Sequence, residues 1–257
     1  MYASNYFENA MLNLMRGTNI SAPANLYLAL FLSDPGDDGT SGTEITYTGY
    51  ARQSIAFTAP ASSGTGLMIE NDSLISFAEA PASSGTVRYV AVFDGNNNMF
   101  LYGQLDTPLN VQAGVSPVFR AGSVRWLWTG NLSTYYRTAV MNTLRGTSCS
   151  GFSPYVALCN GDPTGAGNEF SGNNYSRISV TMTAPAQQAS GTALSQNSAD
   201  DLSSVATGNW GTLNTVAIYD ASSSGNAYAV IALGNSYNVT TGYAVGFHAG
   251  ELQFNVN

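Results

Sequence analysis

The chain has no lysine. All eight basic side chains in its 257 residues are arginine, and charged residues of both signs make up only 9%. Soluble domains usually carry ~25% charge. Lysine on an exposed strand is a common guard against edge-to-edge pairing, so a surface without it suits a chain that is largely covered in an assembly. The formal charge of −8 argues against a phosphate-binding face, and no nucleic-acid partner is expected. Long apolar runs are missing too. The longest, Leu26 to Leu32, has the length of a buried strand, far short of the ~20 residues of a membrane span, so no membrane insertion is expected. The opening Met1-Tyr2-Ala3-Ser4-Asn5 lacks the basic and apolar regions of a secretory signal, which points to folding in a cytoplasm. Cys149 and Cys159 are the only cysteines, and buried thiols rather than a disulfide are expected.

Catalytic patterns are also scarce. The one histidine, His248, has no serine or cysteine motif in register and nothing local to hold it for a triad, so it reads as a surface residue. No G-x-S-x-G, H-E-x-x-H, P-loop or C-x-x-C pattern occurs. Acids gather at Asp34, Asp37, Asp38 and Glu44, but no Glu stands at the twelfth position of an EF-hand, and Asp-Pro-Gly is an ordinary turn initiator. No catalytic residue, cofactor or metal is expected.

What the chain has is a repeat. Tyr6, Asn13 and Arg16-Gly17-Thr18 recur as Tyr135, Asn142 and Arg145-Gly146-Thr147 (135 − 6 = 129). Tyr27, Ala29-Leu30 and Asp34-Pro35 recur as Tyr155, Ala157-Leu158 and Asp162-Pro163 (155 − 27 = 128). Glu44, Tyr50, Arg52 and Thr58-Ala59-Pro60 recur as Glu169, Tyr175, Arg177 and Thr183-Ala184-Pro185 (169 − 44 = 125). Gly85-Thr86, Val90-Ala91 and Asp94 return at Gly211-Thr212, Val216-Ala217 and Asp220, and Phe119 with Ala121-Gly122 at Phe247 with Ala249-Gly250. The order never changes, and the offset shifts only across Gly/Ser/Asn-rich stretches, as expected of two copies that differ in loop length. The expected units are residues 1–129 and 130–257, with the boundary near Thr129-Gly130-Asn131.

Each copy opens with a helical pattern: Phe7, Met11, Leu14 and Met15 on one face, echoed by Tyr136, Val140 and Leu144. Asn5 with Glu8 resembles a capping box, and Arg16-Gly17 is a stop signal repeated as Arg145-Gly146. Strand patterns follow at Leu26–Leu32, around Ile55 and Phe57, across the hairpin from Val87–Phe93 to Met99–Leu105, and at Pro117–Trp126. Tyr155–Cys159, Val180 with Met182, and Tyr243–Phe254 echo them. The fold expected is mainly β: two tandem β-sandwich, jelly-roll-like domains, each preceded by a short α-helix.

Among the charges kept in both copies are Asp34, Glu44 and Arg52, repeated as Asp162, Glu169 and Arg177. A carboxylate–guanidinium pair pinning the long loop to the sheet explains their retention better than a glycosidase pair, which would need a cleft in each copy. Trp126 matches Phe254 and reads as core. Trp210 replaces Ser84 in a turn and Trp128 lies just beyond the last strand pattern, so these two are the expected exposed contacts, for a protein interface or a glycan.

Arg16-Gly17, the Leu-Tyr-Leu-Ala-Leu-Phe strand with Asp34-Pro35, Glu44-Ile45, Gly49 to Gln53, an Asn-anchored strand from Asn71, Gly85 to Asp94 and Phe119 to Gly122 together resemble a family of small phage virion proteins, described as tail-fibre or minor tail proteins. The resemblance covers nearly all of the first copy and, more loosely, the second, which departs at Ile178 in place of Gln53 and at Asn209-Trp210. It implies a virion location, other virion proteins of tail or capsid as partners, and no active-site residues. Two similar units per chain let a trimer present six similar faces, matching a six-fold ring under closed symmetry. The expected role is a compact homo-oligomeric component, a fibre-base, adaptor or minor tail protein or a capsid decoration protein, with host-surface polysaccharide binding as the alternative.

Overall fold

The computed structural model describes residues 1–130, 132–163, 168–189 and 191–256. Asn131 and Asn257, which fall at the expected boundary and terminus, lie outside the described residues. The first copy runs β1 (Tyr2–Ala3), α1 (Asn5–Asn13), β2 (Leu26–Phe31), β3 (Gln53–Ser54), β4 (Ala61–Ser63), β5 (Gly66–Glu70), β6 (Ile75–Ser76), β7 (Gly85–Asp94), β8 (Met99–Val111), β9 (Val118–Phe119) and β10 (Arg125–Trp128). The second runs α2 (Thr134–Thr143), β11 (Tyr155–Cys159), β12 (Ile178–Ser179), β13 (Ala186–Gln187), β14 (Ala193–Gln196), β15 (Asp201–Leu202), β16 (Gly211–Tyr219), β17 (Ala227–Val239), β18 (Gly246–Phe247) and β19 (Gln253–Val256).

Element by element, β2–β10 return as β11–β19, and the pairing returns with them. The large sheet has the order β8-β7-β2-β3 in one copy and β17-β16-β11-β12 in the other, with β1 added at the edge of the first. The small sheets are β10-β5-β4 and β19-β14-β13, and the two-stranded pairs are β6-β9 and β15-β18. Every ladder is antiparallel. The fold is mainly β, built as two tandem halves, as the sequence pattern implies.

The apolar run of β2 reflects burial on both faces. Leu26, Leu28 and Leu30 join the main core, while Ala29 and Phe31 form an outer cluster with Ala91, Phe93 and Met99. β11 repeats this: Val156 and Leu158 face in, and Ala157 and Cys159 face out beside Ala217 and Tyr219. A strand covered on both sides has no polar face to alternate with.

Three local expectations need correction. The cap of α1 is Ser4, whose side chain accepts from Phe7 N at 3.3 Å; Ser133 caps α2 in the same way at 3.1 Å. Ala3 is still paired to β8, so the chain enters the helix through an extended Ser4 and Glu8 falls one position too late for a capping box. Second, the Pro117–Trp126 and Tyr243–Phe254 patterns are not single strands. Each is broken at an Ala-Gly turn, with φ of 78° at Gly122 and 84° at Gly250, which passes the chain from β9 or β18 into the small sheet. Third, Asn71 begins no strand. It follows β5 and ties that turn down, accepting from Val124 N at 2.8 Å and donating to the carbonyls of Arg120 at 2.9 Å and Ser73 at 2.8 Å. Asn197 repeats the knot with Leu252 N at 3.0 Å, the His248 carbonyl at 2.9 Å and the Ala199 carbonyl at 2.9 Å.

The main core does not divide at the boundary; one cluster runs from Ala3 to Val256. Helix α1 packs on its own β8 and on β14 and β19 of the second copy, while α2 packs on its own β17 and on β5 of the first. Each small sheet is therefore closed by the other copy's helix. The exchange is fastened by the Tyr136 hydroxyl donating to the Met11 carbonyl at 2.8 Å and Arg137 Nη1 donating to the Trp128 carbonyl at 2.9 Å.

Candidate functional site

The retained charges form a clamp in each copy. Arg52 grips Glu44 with two nitrogens, Nε to Oε1 at 3.0 Å and Nη2 to Oε2 at 2.8 Å. The Tyr50 hydroxyl donates to Glu44 Oε1 at 2.8 Å and accepts from the Leu30 N–H at 3.1 Å. The guanidinium lies 3.9 Å from the Phe93 ring centroid, and Nη1 reaches Asn97 Oδ1 in the β7–β8 loop at 2.7 Å. The second copy repeats the set. Arg177 binds Glu169 at 2.8 and 2.7 Å, Tyr175 bridges Glu169 and Leu158 N at 3.0 Å each, and the guanidinium covers Tyr219 at 3.6 Å. Arg177 Nη1 donates to the Ala221 and Ser224 carbonyls at 2.8 and 2.6 Å. One arginine in each copy thus ties the long loop, the central strand and the hairpin tip together over the outer aromatic.

Electrostatics follow burial. Tyr50 and Tyr175 titrate far above the ordinary phenol range, chiefly because they are buried. Burial alone would lower Arg177, but the Glu169 hydrogen bonds and charge outweigh it and hold the guanidinium above its usual value. The clamps are ion pairs with a structural geometry. Asp34 stays out of them, its carboxylate accepting from Gly36 N at 3.0 Å within its own turn. Asp162 meets Asn168 through its backbone carbonyl at 2.6 Å. Both cysteines are free and buried, and burial pushes Cys159 up to about 12 and raises Cys149, so neither is a poised nucleophile.

The expectation that Trp128 and Trp210 are exposed is overturned. Trp128 is 5% exposed, stacked on Trp126 at 5.1 Å with Tyr136 of the second copy edge-on at 5.9 Å. The exchanged helix covers it. Trp210 is 8% exposed, edge-on to Tyr175 at 5.3 Å, and its Nε1 donates to the Asn173 carbonyl at 2.9 Å. Neither ring is free to stack on a sugar. His248 does lie on the surface, 82% exposed, but contrary to the sequence reading a carboxylate stands near it: Asp200 Oδ2 is 3.5 Å from Nδ1. With both groups exposed and no nucleophile hydrogen-bonded to the ring among the described residues, the pair makes no triad.

Exposed apolar side chains that the sequence patterns did not single out include Leu74, Val118 and Leu127 in the first copy and Leu202, Val205, Tyr237 and Tyr243 in the second. In place of the second copy's four, the first has Ser76, Glu79, Leu109 and Val115, the last two half-buried. Tyr237 and Tyr243 border a groove of about 640 Å³ floored by Leu233, Val245 and Phe247. Among the described residues no helix is long and apolar enough to cross a membrane, and no three His, Cys, Asp or Glu side chains are grouped to hold a metal.

The chain matches one protein-family model twice, over residues 2–126 and 131–255; the family is described as podophage GP4 fiber I protein gp80. The chain belongs to this family. The two matches fall on the two structural copies. Membership in the GP4 fibre I family makes the chain a structural protein of the phage tail fibre and a component of the virion. No curated protein sequence matches the chain.

Proposed function

We propose that this fibre-family protein is a compact, tail-associated assembly component, at the fibre base or as an adaptor, which acts through protein–protein contacts and carries out no chemical step. Its two units, 1–129 and 130–257, give each chain two similar faces, and a closed trimer would present six. The observation that carries this reading is the contrast between what the copies share and what they do not. The shared side chains, Glu44/Glu169, Arg52/Arg177, Tyr50/Tyr175 and Asn71/Asn197, are spent on internal ties. The unshared Leu202, Val205, Tyr237 and Tyr243 put apolar surface into solvent. Exposed apolar and aromatic groups of this kind suit a partner surface.

Light scattering of the purified chain tests it. An oligomer that dissociates in Leu202→Asp and Tyr237→Asp, with melting temperature unchanged, supports the reading. A monomeric wild type that also fails to enter particles overturns it. A side-chain-resolution reconstruction of the particle would separate tail attachment from a decorating position on the capsid. The second reading, a host-surface polysaccharide site, rests on the groove beside Tyr237 and Tyr243 rather than on the buried tryptophans. It requires saturable binding to isolated host polysaccharide that Tyr243→Ala weakens.

A further inference from the structure

Glu8 sits in α1, is 0% exposed, and has no hydrogen-bond partner for either carboxyl oxygen. Two more buried oxygens are orphaned with it, Asp37 Oδ1 and Asn5 Oδ1. The chain itself gathers these groups. Asn5 lies three residues before Glu8 on the helix, so the two share a face, and the Asn5 N–H donates to the Asp37 carbonyl at 3.0 Å. Asp37 acts on Glu8 as a neighbouring negative charge. From the second copy, the Gln187 side chain and the Ala193 N–H approach the Glu8 carboxyl without closing a hydrogen bond, and Gln187 instead reaches Asn9 Oδ1 at 3.4 Å. From β8, Tyr102 faces the same charges; burial first, then Asp37, Asp34 and Glu8, push its phenol up to about 12.

All four orphans are acceptors. A buried carboxylate oxygen that closes no hydrogen bond needs a positive charge or a proton beside it. The repeat shows what the fold does at the same place in the other copy: the counterpart of Glu8 is Arg137 (137 − 8 = 129), a buried guanidinium that donates to the Trp128 carbonyl. There the helix brings its own cation. Asp37, too, is peculiar to the first copy, since the segment between Asp162 and Glu169 holds no other acid.

We propose that Glu8, Asp37 and Asn5 form a binding site for a hard divalent cation of the calcium class, present in the first copy alone, where α1 meets the β13–β14 sheet of the second. An all-oxygen set of two carboxylates and an amide, completed by carbonyls and water, suits such an ion and no soft metal. The acid-rich loop supplies only one of these side chains: Asp34 and Asp38 are turned to Gly36 N and to Thr40 in their own turns. The half-buried Asp37 lies at the open side of the cluster. Because the site lies between the two copies, the ion would brace them against each other.

The 257-residue chain, dialysed against EDTA and returned to metal-free buffer, is titrated with calcium chloride and, separately, magnesium chloride. Calorimetry reads binding, and thermal melts read stability. The expected result is one ion per chain and a rise in melting temperature of about 5 °C at saturation. Glu8→Gln and Asp37→Asn should both lose the binding heat and the thermal shift while keeping the wild-type circular dichroism; the half-buried Asp37 provides the milder variant. No heat and no shift with either ion at about 10 mM would mean that the pocket holds a proton only, and would overturn the proposal. So would an equal shift in wild type and both variants, which would place the ion elsewhere.

Discussion

Ile20 and Cys149 exchange both backbone hydrogen bonds, N to O at 2.8 and 2.9 Å, and they are the same position in the two copies (149 − 20 = 129). A residue that pairs with its own counterpart marks a local two-fold axis, the signature of an isologous interface. The flanking contacts obey it: Asn19 Oδ1 accepts from Gly151 N at 2.9 Å, and Ser148 Oγ, its counterpart, accepts from Ala22 N at 3.0 Å. The chain is thus arranged like a symmetric dimer whose subunits have been joined end to end, with the opening helices crossing to the opposite small sheets.

The axis leaves no room at Gly151. A Cβ added there would stand 2.3 Å from the Gly17 carbonyl carbon and 2.4 Å from Thr18 N, both backbone atoms that cannot swing aside. Gly151→Ala should push the copies apart and cost about 2–3 kcal/mol of stability, in line with other overpacked sites. Denaturant unfolding measures it. Ala22, the counterpart of Gly151, already carries a Cβ, so Ala22→Gly should change stability only by the ~1 kcal/mol or less of a backbone-entropy effect.

The two clamps are alike in geometry but differ in exposure: the Arg52 side chain is 26% exposed and that of Arg177 only 5%. Removing a guanidinium leaves its carboxylate and its carbonyl partners short of donors, and the cost grows with burial. Arg52→Ala should cost about 1 kcal/mol and Arg177→Ala about 3 kcal/mol. Hydrogen exchange should localise the loosening in each case to the long loop and hairpin tip of the affected copy. Equal costs would mean that exposure does not decide the strength of these pairs.

The duplication, the helices, the central strands and the clamp residues were all legible because they are local patterns or are repeated. Loop lengths drift between copies while Glu44, Tyr50 and Arg52 cannot, since Tyr50 and Arg52 both hold Glu44. Trp128 misled for the opposite reason. Just beyond a strand pattern it looks free, yet Tyr136 from the other copy covers it, and no pattern within one copy carries that contact. Trp210 is buried by Tyr175 and Asn173, where Asn173 and Asn174 take positive φ of 48° and 68° to bring the loop over it. The surface patch at Leu202 and Tyr237 could have been found by asking where the second copy becomes more apolar than the first.

Asn71 holds a strand crossing in place with a single side chain. Its amide satisfies a backbone N–H and two carbonyls, all buried or half-buried. Asn71→Ala would strand two polar groups, the Val124 N–H and the Ser73 carbonyl, while the Arg120 carbonyl keeps its bonds from Ser123, and should cost about 2 kcal/mol. Asn71→Asp is the sharper test. It keeps the acceptor for Val124 N but replaces the amide donor with an oxygen facing two carbonyls, so it should destabilise at least as much as Asn71→Ala near neutral pH and recover as the solution is acidified. Urea melts of both variants at two pH values decide it.

Glu8 makes the stability of the metal-free protein depend on pH. Burial first, and then the Asp37 charge, raise its carboxyl from 4.5 to about 8. In the unfolded chain the group loses its proton near its ordinary value, whereas in the folded chain it holds the proton until about 8. Between these limits the folded state binds more protons than the unfolded one, so stability falls as pH rises and levels off above pH 8. The loss across this window should be on the order of 4 kcal/mol. Glu8→Gln fills the same volume without a charge, so it should match wild type at pH 4 and exceed it at pH 8.5. Unfolding in EDTA-containing buffer across that range supplies the measurement. Parallel curves for the two proteins would show that another group carries the pH dependence, and that the Glu8 carboxylate is solvated or paired in solution.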